Sequence, residues 1–306
     1  MAMRQSHQLA WITLLCYALA LHAQAPQLAQ TGSSVTPQGG HAPIAVGSET
    51  GDLAKATQNP VASLISVPIQ NSSNFGVGSY NRTQDVINIQ PVVPARISKD
   101  WMLITRVIQP IVWQPYSASN AGGQLGIGDM SPTFFLSPAN PGKLIWGLGP
   151  AMVIPSATSA VLGQGKLSFG PSVVALIQPG PWTLGFLINN VFSVVGSSHR
   201  PSVNQMTLQY FATYNLKKGW NISTGPIITA NWHSQAAGEA SDGNDTTGGG
   251  VWTVPFGGGV GRVTRLGYQP VNISAQFYAS AVRPAGASSW GMRLQIALLY
   301  PKKPKG

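Results

Sequence analysis

The sequence predicts an all-β fold, a transmembrane antiparallel up-and-down β-barrel of about 12 strands with short periplasmic turns and longer extracellular loops. Three observations support this prediction: a low content of charge, a two-residue periodicity, and connections that alternate in length. Charged residues make up 8% of the 306 residues, against about 25% in an ordinary soluble domain. No segment after the N-terminal region offers the roughly 20 consecutive apolar residues of a membrane helix, so a closed barrel is the membrane fold that remains. The soluble alternative is an all-β sandwich with an unusually uncharged surface.

Apolar and polar side chains alternate with a period of two along most of the chain, as they do in strands with one buried face. In the last segment Leu294 and Ile296 share one face, whereas Arg293 and Gln295 share the other. The first face suits lipid and the second suits a mixed lumen. The same alternation predicts strands at residues 61–70, 82–93, 101–113, 128–137, 144–154, 166–177, 182–193, 205–216, 220–232, 251–263, 270–280 and 291–300.

Prolines inside these predicted strands require a local departure from the ladder, because proline has no N–H to donate. A closed barrel has no free edge, so we expect these prolines at bulges or bends. The run Gly257-Gly258-Gly259 is expected to mark one such bend. The prolines concerned are Pro68, Pro132, Pro171, Pro226 and Pro255.

The connections between the predicted strands alternate between short and long, as in barrels with short periplasmic turns and longer external loops. The short connections are Pro94–Asp100, Pro138–Lys143, Gln178–Pro181, Lys217–Gly219 and Arg265–Gln269. The longer connections are Asn71–Asn81, Gln114–Ile127, Pro155–Gly165, Val194–Ser202, His233–Gly250 and Arg283–Ser289. Tryptophans lie beside both kinds of connection and predict two interfacial belts. They are Trp101, Trp182 and Trp220 after short turns, and Trp113, Trp232, Trp252 and Trp290 beside long loops.

The N-terminus has the order of a secretory signal. Arg4 precedes an apolar run from Leu9 to Leu21, and small residues follow up to Ala25. We therefore expect residues 1–25 to be cleaved on export. Cys16, the single cysteine, lies in this segment, so the mature chain is expected to lack disulfide and thiol chemistry.

The rest of the chain divides by composition. Residues 26–57 are rich in Gln, Ser, Gly, Pro and Ala and are expected to be a flexible periplasmic lead-in. The alternative is a short plug or partner-binding arm, because Asp52–Gln58 could form a helical turn. Residues 58–301 are the expected barrel, and residues 302–306 are a basic tail.

Charge and motifs argue against several classes of function. The formal net charge is +10, but basic residues are scattered singly apart from Lys217-Lys218 and the tail, which argues against a nucleic-acid partner. The sequence contains no metalloprotease, phosphate-loop or serine-hydrolase motif in its required setting. We therefore expect no enzyme, no catalytic residue, no metal and no cofactor. His199 and His233, both in predicted loops, are the groups on which a hidden catalytic or metal site would depend.

The longest predicted loop, His233–Gly250, holds the acidic residues Glu239, Asp242 and Asp245 among Gly, Ser, Asn and Thr. This composition cannot bury an apolar core, so the loop is expected to be solvated and mobile, outside the cell. An alternative is that its carboxylates bind divalent cations that bridge lipopolysaccharide.

The predicted lumen holds mostly uncharged hydrogen-bonding groups. Arg106 and Arg293 should point inward, because a mid-strand arginine that faces lipid costs roughly 2–4 kcal/mol. Arg106 shares its face with Met102, Ile104 and Ile108, a mixture that suits small, partly apolar solutes more than ions. The alternative is a filled interior that only stabilises the barrel. The predicted lumen-lining residues are Gln84, Asn88, Gln90, Arg106, Asn189, Gln205, Gln209, Asn221, Asn231, Asn272, Gln276, Arg293 and Gln295.

Several motifs resemble one bacterial family. They are residues 57–68 (TQNPVASLISVP), 126–135 (GIGDMSPTFF), 143–150 (KLIWGLGP), 204–206 (NQM), 255–261 (PFGGGVG) and 269–272 (QPVN). Over roughly residues 54–301 the chain is similar to the bacterial outer-membrane transporter family that is often mislabelled "neuromedin U". That family is related to outer-membrane proteins of the phenol meta-cleavage pathway and, more distantly, to long-chain fatty-acid channels. The resemblance implies a barrel and a transport role.

Three functional hypotheses follow. The leading one is a non-enzymatic bacterial outer-membrane channel for passive passage of small solutes, aromatic or otherwise hydrophobic. The second is a lipid-modifying enzyme of the outer membrane that uses His199 or His233. The third is a structural or adhesive barrel that acts through its external loops. The expected partners are outer-membrane lipids and lipopolysaccharide, a small-molecule solute and the barrel-assembly machinery.

Overall fold

The computed structural model describes residues 46–116, 119–233 and 251–300. Within these ranges one α-helix, α1 (Val46–Thr57), precedes an antiparallel sheet that closes on itself, and a short 3-10 turn lies at Lys217–Gly219. The loop from Ser234 to Gly250 with its three acidic residues, the expected signal 1–25 and the basic tail 302–306 lie outside the described residues. The strands are β1 (Ile65–Val77), β2 (Arg82–Ile89), β3 (Val92–Arg96), β4 (Trp101–Pro115), β5 (Gly123–Ile127), β6 (Ser131–Pro138), β7 (Leu144–Val153), β8 (Lys166–Ile177), β9 (Trp182–Gly196), β10 (Asn204–Asn215), β11 (Trp220–Thr224), β12 (Ile227–Asn231), β13 (Trp252–Leu266), β14 (Gln269–Val282) and β15 (Trp290–Tyr300).

The sheet is a closed antiparallel barrel of twelve strands, as the sequence predicts. Each strand pairs with the next along the chain, and the first pairs with the last from Ile65↔Tyr300 to Phe75↔Trp290. Three barrel strands are interrupted and consist of two segments each: β2 with β3, β5 with β6, and β11 with β12. A closed ladder satisfies the backbone groups without leaving an edge.

The connections gather at two ends of the barrel. The end that carries residues 97–100, 139–143, 178–181, 216–219 and 267–268 is here called the turn end, and the opposite end is called the loop end. The first loop is shorter than expected. Strand β1 was predicted to stop at residue 70, but it continues to Val77 through a register shift after Asn74, and a tight turn with positive φ at Gly78 and Asn81 follows.

Two proline predictions are confirmed and three are wrong. Pro226 lies in the break between β11 and β12, and the β13–β14 register shifts beside Pro255. By contrast, Pro132 and Pro171 keep their cross-strand partners on one side, Val107 and Pro150. Pro68 also keeps a partner, Ala297, on one side. On its other side the neighbouring strand is interrupted between Ile69↔Ile89 and Ser66↔Val92, although the amide of Gln90 still donates to the Pro68 carbonyl oxygen at 2.8 Å. Because the strand formed by β2 and β3 is interrupted opposite Pro68, it does not require a backbone N–H from Pro68. No bulge is therefore needed in β1 at this residue.

The outer face of the barrel is apolar. Leu144, Leu148, Ile222, Phe277 and Leu294 are exposed on it, and they belong to the alternate positions that point away from the interior. Aromatic side chains mark both ends, with Trp101, Trp182 and Trp220 beginning strands at the turn end, and Trp232, Trp252 and Trp290 exposed at the loop end. Within the described ranges, no helix is both long enough and apolar enough to cross a membrane.

The interior has two differently filled sides. The apolar half is the inner wall of β4 and β6–β9, where a buried cluster is formed by Val61, Met102, Ile104, Phe135, Val174, Leu176 and Leu187. Packing there is tight: a Cβ at Gly147 would lie 3.2 Å from Phe135 Cβ and from Val61 Cγ1. The polar half is the inner wall of β10–β15 and β1.

The described part of the N-terminal lead-in is a helix. Residues 26–57 were expected to be flexible, with a helical turn at Asp52–Gln58 as the alternative. Val46–Thr57 is a helix, and residues 26–45 lie outside the described residues. Ala54 of this helix, 3% exposed, packs with Leu64, Val263, Ala297 and Leu299 inside the turn end. The reason is burial of apolar area, since the sequence of this segment alone carries only a weak helical signal.

Candidate functional site

Two cavities lie in the interior, bordered mainly by its polar half, although Arg106 of β4 and Leu187 of β9 also line the inner one. The inner cavity has a volume of about 220 Å³ and lies between the barrel wall and the segment from Ala56 to Pro60. The outer cavity has a volume of about 290 Å³ and extends toward the loop end, where Ser288 and Trp290 line it. Gln70 and Arg293 line both cavities, so these two side chains lie at their junction.

A hydrogen-bonded network surrounds Arg293 at this junction. Arg293 Nη1 donates to the carbonyl oxygen of Gly225 at 2.9 Å, and its guanidinium carbon lies 4.7 Å from the ring centroid of Tyr278. The amide N–H of Gly225 donates to Tyr278 Oη at 3.0 Å. Tyr278 Oη donates in turn to Gln276 Oε1 at 2.9 Å. The junction is therefore polar, and its charged side chain is held in one orientation.

The strand break at Pro226 makes this network possible. Regular pairing of β11 with β10 ends at Thr224, and that of β12 begins at Ile227. Gly225 therefore has both backbone groups free of the ladder, and it uses them for Tyr278 and Arg293. Gln209 Nε2 also donates to the Gly225 carbonyl oxygen, at 3.4 Å. Without Tyr278, the buried N–H of Gly225 would lose its partner.

The glycine run on β13 lets side chains cross from β14 to β11. Gly259 pairs with Ser223 on one side and with Gln276 on the other, and Gln276 Nε2 donates to Ser223 Oγ over it at 2.8 Å. A Cβ at Gly259 would lie 1.9 Å from the carbonyl oxygen of Ala275. The predicted bend at 257–259 is thus a stretch of close strand approach that only glycine permits.

The inner cavity has surplus hydrogen-bond donors. Arg106 lines it and donates from Nη2 to Gln90 Oε1 at 2.9 Å. Three buried lining atoms have no hydrogen-bond partner in the described part of the protein: Arg293 Nε, Asn221 Nδ2 and Asn272 Oδ1. No acidic residue occurs among the described side chains that line either cavity. Two of the three free groups are donors, so the wall favours an acceptor-rich ligand.

Most of the predicted lumen residues lie on these cavity walls. Those lining the inner cavity are Gln90, Arg106, Gln209, Asn221, Asn272, Gln276, Arg293 and Gln295. Asn88 lines the outer cavity.

Four others lie outside both linings. Gln84 bonds to Asn74 and Gln114, and Gln205 accepts from Gln164 Nε2 at 3.1 Å. Asn231 pairs with Gln205 across the ladder, and Asn189 pairs with Ser172 and Thr207.

Sequence reasoning missed part of the site. Tyr278 alternates in step with the predicted lumen residues Asn272 and Gln276, but it was not proposed as a site residue. Gln70 falls at the end of a strand whose polar continuation was taken for a loop. The contribution of Gln58 could not be found from periodicity, because this residue precedes β1 and reaches the wall from the N-terminal segment.

Helix α1 is tied to the wall of the turn end by a side-chain clamp. Gln58 Nε2 donates to Asn215 Oδ1 at 2.7 Å, and Thr183 Oγ1 donates to Gln58 Oε1 at 2.8 Å. Gln178 Nε2 donates to the carbonyl oxygen of Lys55 at 2.9 Å. These bonds fix the position of the segment that lines the inner cavity.

The motif at residues 126–135 has a structural role at the loop end. Asp129 Oδ1 accepts from the amide of Ala157 at 3.1 Å, and Oδ2 accepts from the amide of Gln164 at 2.6 Å. Arg200 donates to the carbonyl oxygens of Ala160 and Gly163 in the same loop. These contacts order the connection between β7 and β8.

His199 and His233 are far apart in the chain and exposed in the described part of the protein. His199 and His233 lie in different loop-end connections, and each donates its backbone amide to a nearby side chain, Ser197 and Asn231 respectively. Among the residues that the structure describes, no group of three or more His, Cys, Asp or Glu side chains could hold a metal ion.

Comparison with known proteins agrees with the fold. No protein-family model matches the chain, and no curated protein matches it. Among solved structures it is similar to an outer membrane channel of Pseudomonas putida, with a TM-score of 0.55 and 14% identity over 78% of this chain and 94% of that chain. It also has weaker likeness to outer membrane phospholipase A of Escherichia coli (TM-score 0.41, 11% identity, 77% and 96% covered). A FadL homologue of Pseudomonas aeruginosa gives a TM-score of 0.35 and 9% identity over 71% and 68%. Only the first of these likenesses is strong enough to support the fold, and it supports nothing further.

Proposed function

We propose that the protein is a bacterial outer-membrane channel for small, partly apolar solutes. In this proposal, helix α1 closes the periplasmic end of the channel. The observation that carries this proposal is the pair of interior cavities that share Gln70 and Arg293. The segment around Gln58 borders the inner one at the turn end. The apolar outer face supports a place in a lipid bilayer, and the family resemblance noted from the motifs supports transport.

The turn end faces the periplasm in this proposal, because short turns lie on that side in barrels of this class. A cleaved signal would deliver the chain, and the barrel-assembly machinery would insert it. The lipids and lipopolysaccharide of the outer membrane would surround the apolar band. No catalytic step is needed, because passage depends on a polar route and on displacement of α1.

The test uses liposomes that contain the mature full chain and compares two substitutions on the same helix. Ala54→Glu places a carboxylate in the apolar contact with Leu64, Val263, Ala297 and Leu299, and should displace α1. Gly51→Glu is the matched control, since Gly51 is exposed and an added Cβ there meets nothing within 4 Å.

We expect Ala54→Glu to raise liposome swelling with a neutral aromatic solute by about tenfold or more over wild type, whereas Gly51→Glu should match wild type. A tenfold change corresponds to about 1.4 kcal/mol in the closing equilibrium. Heat-modifiable mobility on a gel would show that both variants contain folded barrels. Folded Ala54→Glu protein without solute flux would contradict the proposal.

A further inference from the structure

The walls of the two cavities carry positive charge that no described carboxylate balances. Arg106 and Arg293 line the inner cavity, and none of the described lining residues is acidic. The carboxylates whose side chains the structure describes lie outside the lining of both cavities. Asp85 accepts from Ser73 Oγ at 2.6 Å, Asp129 binds loop amides, and Asp100 lies in the turn that follows β3. An arginine shielded from water favours an anionic partner.

Two residues that line the same cavity carry buried donor atoms without a hydrogen-bond partner among the described atoms. Asn221 is 4% exposed, and its Nδ2 has no hydrogen-bond partner among the described atoms. Arg293 uses Nη1 for Gly225, while its Nε stays without a partner. A carboxylate offers two acceptor oxygens and suits such donors better than a neutral amide or alcohol does.

The remaining lining residues include apolar side chains. Leu64, Leu187 and Phe211 line the inner cavity together with the polar groups. Its volume of about 220 Å³ exceeds the roughly 150 Å³ of an apolar cavity that holds benzene. The space therefore admits one ring or a short chain beside the charged wall.

We propose that the inner cavity binds the carboxylate of a small amphipathic organic acid, with Arg293 and Asn221 as donors and Arg106 as a second positive charge. This inference rests on the proposed function, because it names the class of solute that the channel carries. A site of this kind would prefer an organic acid to both an inorganic ion and a neutral hydrocarbon. The apolar side chains would contact the organic body, and the network around Gly225 would hold the guanidinium in place.

The test is calorimetric titration of the detergent-solubilised mature chain with benzoate and with benzamide, which have similar shape but differ in charge. We expect benzoate to bind at least about tenfold more tightly, the size of one lost hydrogen bond to a charged group. Arg293→Gln should abolish this preference. Arg283→Gln is the matched control in an exposed loop and should retain it.

A second variant keeps the test decisive if Arg293→Gln protein does not fold. Arg106→Gln removes the other charge and should reduce the benzoate preference in part, and heat-modifiable mobility would report the fold of every variant. Equal binding of benzoate and benzamide, or an unchanged preference in folded Arg293→Gln protein, would overturn the proposal. Inorganic phosphate bound as tightly as benzoate would also overturn it, because the apolar wall would then contribute nothing.

The failure of this inference can be told apart from failure of the channel. If the Ala54→Glu variant passes benzamide and wild type binds benzoate no better than benzamide, the channel stands and the acid site falls. If benzoate binds with the expected preference but no variant passes any solute, the site stands and the channel falls.

Discussion

The two halves of the barrel interior show how one strand pattern can serve two purposes. In the apolar half, Ile104, Phe135 and Val174 are fully buried and pack against Val61 from the N-terminal segment. In the polar half, Asn221 and Arg293 face a cavity and leave donor atoms without partners. The first half resembles the core of a soluble protein and stabilises the fold. The second half gives up packing and leaves space that a solute could use.

The largest expected effect comes from opening the apolar half. Phe135→Ala would leave a cavity in the tight cluster around Val61 and Val174, and should lower the free energy of unfolding by about 3–5 kcal/mol. Gln295→Ala in the polar half already borders a cavity, and should cost under about 1 kcal/mol. Urea unfolding in liposomes, followed by tryptophan fluorescence, measures both. Equal losses would show that the two halves are packed alike.

The next effect compares the two faces of one strand in the polar half. Leu294, 38% exposed, lies on the outer face of β15, so Leu294→Arg should destabilise the barrel by about 2–4 kcal/mol near the membrane midplane. Gln295→Arg enters the inner cavity and should be much milder in the same unfolding assay. A larger loss for Gln295→Arg would mean that the polar half has no room for another cation.

A smaller effect is expected where the glycine run supports the polar network. Gly259→Ala brings a Cβ within 1.9 Å of the Ala275 carbonyl oxygen, and should cost about 1–3 kcal/mol by forcing β13 and β14 apart. It should also weaken the bond between Gln276 and Ser223. The control is Gly142→Ala in a turn, where an added Cβ meets nothing within 4 Å. Thermal unfolding in detergent would detect the difference, and an unchanged midpoint for Gly259→Ala would contradict the close approach.

The smallest effect concerns a polar atom on the inner wall of the apolar half. Ser172 is 1% exposed, and its Oγ has no hydrogen-bond partner among the described atoms. Ser172→Ala removes this unsatisfied group, so it should leave stability unchanged or raise it by up to about 1 kcal/mol. Thr183→Ala, which loses the bond to Gln58, should instead destabilise. A clear loss of stability in Ser172→Ala would indicate that this hydroxyl has a partner after all.

Periodicity located the barrel because each strand must present one face to lipid and the other inward, and that demand is local. The alternation in β15 places Leu294 outside and Gln295 on the inner cavity, as the sequence indicates. Strand ends were less accurate. The polar continuation of β1 through Asn71 and Ser73 looks like a loop, yet its ladder partners lie in β15 and β2.

The candidate site could be foreseen only in part. The inward position of Arg293 follows from the cost of placing it in lipid, but its partner Gly225 depends on the strand break at Pro226. The glycine run predicts an unusual backbone at residues 257–259. Only the pairing of β13 with β11 and β14 shows that Gln276 reaches Ser223 across Gly259. Likewise, the expectation of small, partly apolar solutes followed from the mixed face around Arg106, whereas the unpaired donors became visible only with the cavity.

By itself, the sequence determined the class of fold, its alternation of inner and outer faces and the two arginines of the lumen, because these depend on neighbours one or two residues apart. Only the tertiary structure decided which half of the interior is filled and where the N-terminal segment lies. Gln58 meets Asn215, 157 residues further along the chain, and no local pattern encodes that contact. Barrel closure brings such distant residues together, and burial of Ala54 against the wall then favours the helix over the flexible chain that its composition suggests.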